Sequence, residues 1–313
     1  MYKNLKKIST KDMSHEEWLE HRRNAIGGSD ASSIIGLNPW SSPYTVWADK
    51  LGKLPPKDDN EAMRLGRDLE DYVAQRFCEK TGKKVRRENA ILYNDDYPFA
   101  HANVDRLIVG EDAGLECKTT SVLNLKKFKN GAFPDNYYVQ CVHYLMVTGC
   151  KKWYLAVLVL GQEFMVFEIE RDEEEIAALA KSEAEFWEYV RTKTPPMVDG
   201  NESTTKTISL LYPQSNDEVV GLTAYNRVLD EYTALSAQIK ALEGRRDEAA
   251  NKVKAFMKES GKGESDRYRV SYGTASRSNF DAKRFAADHA DIDLSEYYKK
   301  SVYRTFKVTE IGE

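Results

Sequence analysis

Along roughly the first 190 residues the apolar positions switch repeatedly between helical and strand spacing. Residues 15–24 read as a helix, and residues 30–36 as a short one behind the turn Gly27-Gly28, with Ser29 or Asp30 as its N-cap. Leu69, Val73 and Phe77 recur at helical spacing within residues 61–80, and Thr81-Gly82 ends that helix. Residues 84–93 have strand character. Val104–Val109 and Leu115–Thr119 flank the short turn Gly110–Gly114 and read as a hairpin. A helix opens at Pro134-Asp135 and runs to about Thr148, before Gly149. Lys152–Leu160 is a nearly continuous apolar run, as expected of a strand buried on both faces. Glu163–Ile169 alternates as its neighbour, and Glu173–Val190 is an amphipathic helix. The alternation implies an α/β (α+β) chain.

Thr192-Lys-Thr-Pro-Pro196 and the polar stretch to Thr207 break this pattern and mark the best domain boundary. Beyond it Tyr225, Leu229, Tyr232, Leu235, Ile239 and Leu242 recur every three or four positions, and the step resumes at Ala249, Val253 and Phe256. That is a long helix with a coiled-coil-like stripe, weakest at Gly244 and ending by Gly261. The remaining residues mix short strands with a helix near Asp281–Asp288. The expected organisation is a first domain over 1–196, a linker over 197–216, the long helix over 217–260 and a small C-terminal α/β segment over 261–313.

Composition narrows the class. With 313 residues, 41% hydrophobic and 31% charged, the chain has ample material for a core and a heavily charged surface. A net charge of -4 does not announce a nucleic-acid binder, although nucleic-acid enzymes are often acidic overall with one basic face. The four cysteines, Cys78, Cys117, Cys141 and Cys150, lack CxxC or zinc-finger spacing and read as reduced thiols. No apolar run reaches 18 residues and the N-terminus has no apolar signal region, so a cytoplasmic protein without membrane contact is expected.

The hairpin carries the chemistry. Side chains alternate along a strand, so Glu116 and Lys118 share a face while Cys117 points the other way. Asp105 lies in the first strand, within reach of that face. Two carboxylates and a lysine so placed suit a Mg2+-type ion, with the lysine orienting or deprotonating an attacking water. An ordinary cross-strand ion pair accounts for Glu-x-Lys alone far more often. Glu70 falls at the margin of the apolar face of helix 61–80, where a carboxylate needs a cationic partner, whereas Asp71 points to solvent. Gln140 and Tyr144 share a helix face and look inward together. His101, four residues before Asp105, either flanks the site or, as the preferred reading, is a nearby surface histidine. The first N–H groups after Gly27-Gly28 suit an anion such as phosphate.

Asp105, then Glu116-Cys117-Lys118, with Glu70 upstream and Gln140-x-x-x-Tyr144 downstream, resembles the PD-(D/E)xK nuclease signature. With Ile26-Gly27-Gly28-Ser29-Asp30 and Asn38-Pro39-Trp40-Ser41-Ser42-Pro43-Tyr44, the stretch from about Trp18 to Tyr189 is similar to the YqaJ-type viral recombinases of the lambda exonuclease family. Val104 stands where many members have proline. The resemblance implies a restriction-endonuclease-like core, a central mixed sheet flanked by helices, over residues 1–196. It implies a 5′–3′ exonuclease that digests one strand of linear double-stranded DNA, using two Mg2+ ions for which Mn2+ substitutes. Asp105, Glu116 and the Cys117 carbonyl would ligate metal, Glu70 would support the second ion, and Lys118 would hold or activate the water. Gln140 and Tyr144 would fix the lysine and the scissile phosphate. Trp18, Arg22, Gly28 and Ser29 match the motif that takes the terminal 5′ phosphate. Lys83, Lys84, Arg86 and Arg87, with Lys126, Lys127 and Lys129, are candidates for the DNA channel. Implied partners are DNA ends, a single-strand annealing recombinase and other copies of the chain, a ring being one arrangement. A structure-specific endonuclease on the same core and a non-catalytic DNA-end-binding module are the competing functions.

Overall fold

The computed structural model describes residues 5–56, 59–289 and 292–311. They divide into two units, within residues 1–212 and 213–313. The first begins with β1 (Lys6–Ser9), α1 (His15–Arg23), α2 (Gly28–Ile34), α3 (Pro43–Lys50) and α4 (Glu61–Thr81). Next come β2 (Val85–Arg87), β3 (Ala90–Tyr93), β4 (His101–Ala102), β5 (Arg106–Ile108) and β6 (Ala113–Thr120). α5 (Asp135–Thr148), β7 (Lys152–Val159), β8 (Glu163–Glu170), α6 (Glu173–Thr192) and α7 (Glu202–Leu211) complete it.

The central sheet has the order β2-β5-β6-β7-β8 and is mixed, with β6 and β7 parallel and the other neighbours antiparallel. The β6–β7 crossover runs through α5, the usual device for joining parallel strands. Alternation along β6 assigns its two faces. Ala113, Leu115 and Cys117 pack on Val73, Ala74 and Phe77 of α4, while Gly114 and Glu116 face α5. Gly114 has to be glycine, since a Cβ there would enter the Trp153 ring. Every residue of α5 from Val139 to Thr148 is buried, so this helix is enclosed all round instead of being amphipathic.

The strand expected over 84–93 is two strands in two sheets. β2 pairs with β5, whereas β3 pairs with β1 and β4 in a separate three-stranded sheet. The stretch 197–216, expected as a linker, contains α7, which packs on α3. Its buried side chains are Thr204 and Thr207, whose hydroxyls bond Ser42 at 2.7 Å and Thr45 at 2.9 Å. Hydroxyl pairing lets polar residues pack where a hydropathy pattern reads only surface.

In the second unit α8 (Asn226–Met257) is one uninterrupted helix of 32 residues, with Gly244 inside it and no break there. It is followed by the hairpin β9 (Lys262–Glu264) and β10 (Arg269–Ser271), then α9 (Ala282–Asp288). No helix among the described residues is long and apolar enough to cross a membrane.

Candidate active site

β6 brings Glu116 and Lys118 to the α5 side of the sheet, and Asp105 approaches from the bend just before β5. The backbone N–H of Cys117 donates to Asp105 Oδ2 at 2.8 Å, which ties the two strands together at the site. N–H and carbonyl of one strand residue face the same neighbour, so the Cys117 carbonyl lies toward that edge as well. Lys118 Nζ stands 2.6 Å from Glu116 Oε1, and Gln140 Nε2 donates to the same oxygen at 2.8 Å and to the Tyr144 hydroxyl at 2.8 Å. Gln140 therefore anchors Glu116 and Tyr144; the contact with the lysine implied by the resemblance is not made. Glu116 is 3% exposed, and its second oxygen, Oε2, has no hydrogen-bond partner.

The electrostatics leave this cluster short of positive charge. Burial, then the Glu116 and Glu70 charges, push the Asp105 carboxyl well above the usual carboxylate range. Burial opposes the charge on Lys118, but the Glu116 and Asp105 carboxylates outweigh it and hold the ammonium protonated beyond the ordinary lysine range. Beside these two carboxylates Lys118 is placed as a cationic donor. Glu70 is turned to Arg106, whose Nη1 contacts its Oε1 at 2.5 Å, and Asp71 takes Arg87 at 2.6 Å as well as Arg106. Asp71 is thus exposed but paired. Among the described residues no group of three or more His, Cys, Asp or Glu side chains converges as a metal cage. What fits one hard cation is the Asp105–Glu116 pair with the Cys117 carbonyl: oxygen donors, excess negative charge and one unpartnered buried carboxylate oxygen.

A second polar centre lies at the start of α2. The helix begins two residues earlier than the spacing implied. Gly27 is its N-cap, and Asp30, at the third helical position, accepts from the Gly27 N–H at 3.1 Å. Asp30 is 5% exposed and also takes Lys50 Nζ at 2.6 Å and Arg22 Nη2 at 3.3 Å. Burial opposes its charge, but Lys50 and Arg22 dominate and hold the carboxyl far below the usual range. The Lys50 ammonium has two further acceptors, the Arg22 and Ala25 carbonyls at 2.7 and 2.8 Å. So the first turn of α2 already has its own anion.

Arg22 lies over the Trp18 ring at 5.7 Å and reaches Ser29 Oγ at 3.4 Å. Trp18, Arg22, Gly27, Gly28, Ser29, His101, Asn103 and Tyr144 line a small pocket of about 70 Å3. A Cβ on Gly28 would come within 2.6 Å of the Tyr144 ring, so glycine is what allows α2 to meet α5 here. Asn103 also lines a neighbouring hollow of about 150 Å3 that contains Glu70, Asp105 and Arg106. One residue therefore borders both the Glu70–Asp105 hollow and the Arg22–Ser29 pocket.

His101 corrects the sequence reading. It is 2% exposed, and neither ring nitrogen has a partner. Burial, then nearby Lys50 and His143, drive its pKa down to about 3, so the ring is neutral. Behind it His143 bonds Glu183 at 2.8 Å and the His101 carbonyl at 2.9 Å, clamping α5 to α6 and β4. Lys50 and Asn103 escaped notice because nothing in their spacing marks them. The basic candidates divide. Arg86, Arg87 and Lys83 are ion-paired with Glu88, Asp71 and Glu111, whereas Lys127 lines a groove with exposed Trp40.

The family model of the YqaJ-like viral recombinase domain matches residues 17–151. The chain is 40% identical over 307 residues to the uncharacterized protein YqaJ of Bacillus subtilis (strain 168), covering 96% of each. Its fold is similar to the crystal structure of an alkaline exonuclease, LHK-Exo, from Laribacter hongkongensis. That match has a TM-score of 0.50 and 19% identity over 57% of this chain and 93% of the other. The complex of LHK-Exo with dAMP matches with a TM-score of 0.50 and 20% identity over the same shares.

Proposed function

The chain belongs to the YqaJ-like viral recombinase family, and we propose on that footing that it is a metal-dependent 5′–3′ exonuclease. Its substrate is linear double-stranded DNA, of which it removes one strand to leave a 3′ single-stranded tail for an annealing recombinase. One observation carries this reading. The hollow holding Glu70 and Asp105, the outer edge of the cation-deficient cluster, and a separate Arg22–Ser29 pocket share a border at Asn103. That spacing of a reaction centre from an end-binding pocket is what an enzyme working from a phosphorylated terminus requires.

Asp105, Glu116 and the Cys117 carbonyl would hold one Mg2+ (or Mn2+), and Glu70 would support a second ion only on leaving Arg106; such ions would supply an activated water and neutralise charge on phosphate oxygens. The protein's own groups do the positioning. Gln140 occupies Glu116 Oε1 and leaves Oε2 unpartnered. Lys118, charged, donates to the water or to a phosphate oxygen as charge develops there. Arg22 gives the terminal phosphate a charge-assisted contact, held in place by the Trp18 ring, and the Ser29 hydroxyl adds a further donor. His101, neutral and unpartnered, faces the same pocket. Other copies of the chain, in a ring or otherwise, are expected as partners.

The test is a digestion in Mg2+ of linear duplex with 5′ phosphates against closed circular duplex. Degradation of the linear form alone, with Asp105→Ala and Lys118→Ala inactive but still binding DNA, is the expected result. Rapid cutting of the closed circle would make the protein a structure-specific endonuclease. Absence of Mg2+- or Mn2+-dependent activity would make it a DNA-end-binding module.

A further inference from the structure

The second unit carries a surface that the nuclease chemistry does not use. Starting at Tyr225 and stepping alternately by three and four, a heptad seam that is apolar at every position but Arg246 runs to Phe256 at the far end of α8. A repeat of 3.5 residues kept over four heptads is the signature of a helix wound against another helix. Yet Met257, outside that seam, is the one residue of α8 classed as buried, and Ile239 and Leu242 at the centre are 57% and 60% exposed.

We infer that α8 pairs antiparallel with α8 of a second copy of this chain. The choice of partner and direction rests on complementarity along the seam. Turning one helix about a twofold axis between Ile239 and Leu242 sets these two against each other. The same operation sets Val228 opposite Val253, and Tyr225 opposite Phe256. It also places the large Tyr232 against the small Ala249, so that bulk meets space. Leu235 meets Arg246, whose aliphatic stem covers it while the guanidinium reaches solvent.

The flanking charges agree. In an antiparallel pair, the positions just before each first core residue face each other across the seam. Here that juxtaposes Glu231 with Lys252 and Gln238 with Arg245, each twice by symmetry. A parallel pair would instead set Glu231 beside Ser236 and Lys252 beside Met257, with no charge to match. Within one chain Lys252 contacts Glu248 at 2.6 Å, an exposed helix pair that holds it weakly and leaves it able to swing to Glu231 of the other copy. The Tyr232 ring already meets Phe306 edge-on at 5.4 Å, and Phe306 is itself exposed, so the partner helix would displace or cover it.

The experiment uses the full chain, with mass measured by sedimentation across concentration. Ile239→Lys, at a surface position where folding is unaffected, should shift the α8-dependent association to monomer or to whatever assembly the first unit makes alone. Glu231→Lys or Lys252→Glu alone should weaken association about tenfold, because two attractions become two repulsions, and the double exchange should restore it. Direction is read by oxidation. Val228→Cys with Val253→Cys should form disulfides between chains, while Val228→Cys alone should not. The two positions lie about 37 Å apart along one helix, so no bond within a chain can imitate this. Val228→Cys linking to itself, an Ile239→Lys variant with unchanged mass, or a double exchange that fails to restore association would each overturn the inference.

Discussion

Two clusters of buried charge in the first unit treat their carboxylates in opposite ways. Asp30 has both oxygens occupied, by Lys50, Arg22 and the Gly27 N–H, and its carboxyl is held far below the usual range. Asp105 sits with Glu116 and Glu70, its carboxyl is pushed up, and Glu116 keeps an unpartnered oxygen. The first cluster is complete and joins α1, α2 and α3. The second is held together by α4, α5 and the sheet around it and lacks positive charge. Uncompensated charge of this kind costs stability and persists where something else uses it. The contrast separates residues that hold the fold from residues that await a ligand.

Substitutions should respect that division. Lys50→Met, which leaves Asp30 buried with Arg22 at 3.3 Å as its cation and the Gly27 N–H at 3.1 Å, is expected to cost about 3–5 kcal/mol of stability, read as a lower urea midpoint. Asp105→Asn is expected to reduce Mg2+-dependent digestion by about 10²–10³ while the urea midpoint stays or rises, because a repelling charge is gone. A midpoint that falls as far as that of Lys50→Met would erase the distinction between the clusters. Arg22→Gln lies between them, since Arg22 serves Asp30 and faces the pocket. Losing one charge-assisted contact, about 1.5–3 kcal/mol, should erase most of the preference for 5′-phosphorylated over 5′-hydroxyl ends, with little change in maximal rate.

The smallest effect is on pH. His101 refuses in the folded state a proton that the unfolded chain takes up near 6.5, its pKa having been driven down to about 3. Its contribution to stability is therefore full above 6.5 and is lost progressively as pH falls toward 3. Between pH 6.5 and 5 the wild type should lose about 1–2 kcal/mol relative to His101→Phe, measured by urea unfolding at both values. A variant with the same slope as wild type would show that His101 titrates normally and is hydrated.

Helices and strands with strong periodicity were legible before the fold was known: α1, α4, α5, α6, α8, β7 and β8 all lie within a few residues of where apolar spacing put them. Short elements were not. α3 carries a local signal only in Ser42-Pro43, an N-cap followed by proline at the first helical position, and its eight residues are too few for a periodicity to show. The division of residues 84–93 between two sheets had no local signal, because strand partners are chosen by the rest of the fold. At the site, the face shared by Glu116 and Lys118 followed from strand alternation alone. The pairing of Asp30 with Lys50, twenty residues away on another helix, and the burial of His101 did not.

By itself the sequence determined which residues could share a face, because helix and strand periods are properties of the backbone. It also determined that residues 225–256 carry an apolar seam interrupted only at Arg246. Only the tertiary structure decided which carboxylate is neutralised and which is left short of charge. That depends on which cations the packing brings within about 3–4 Å, and Coulomb interactions in a buried setting change by kilocalories over that distance. The same pairing of acid and base residue types thus serves as a structural tie at Asp30 and as a candidate reaction centre at Asp105.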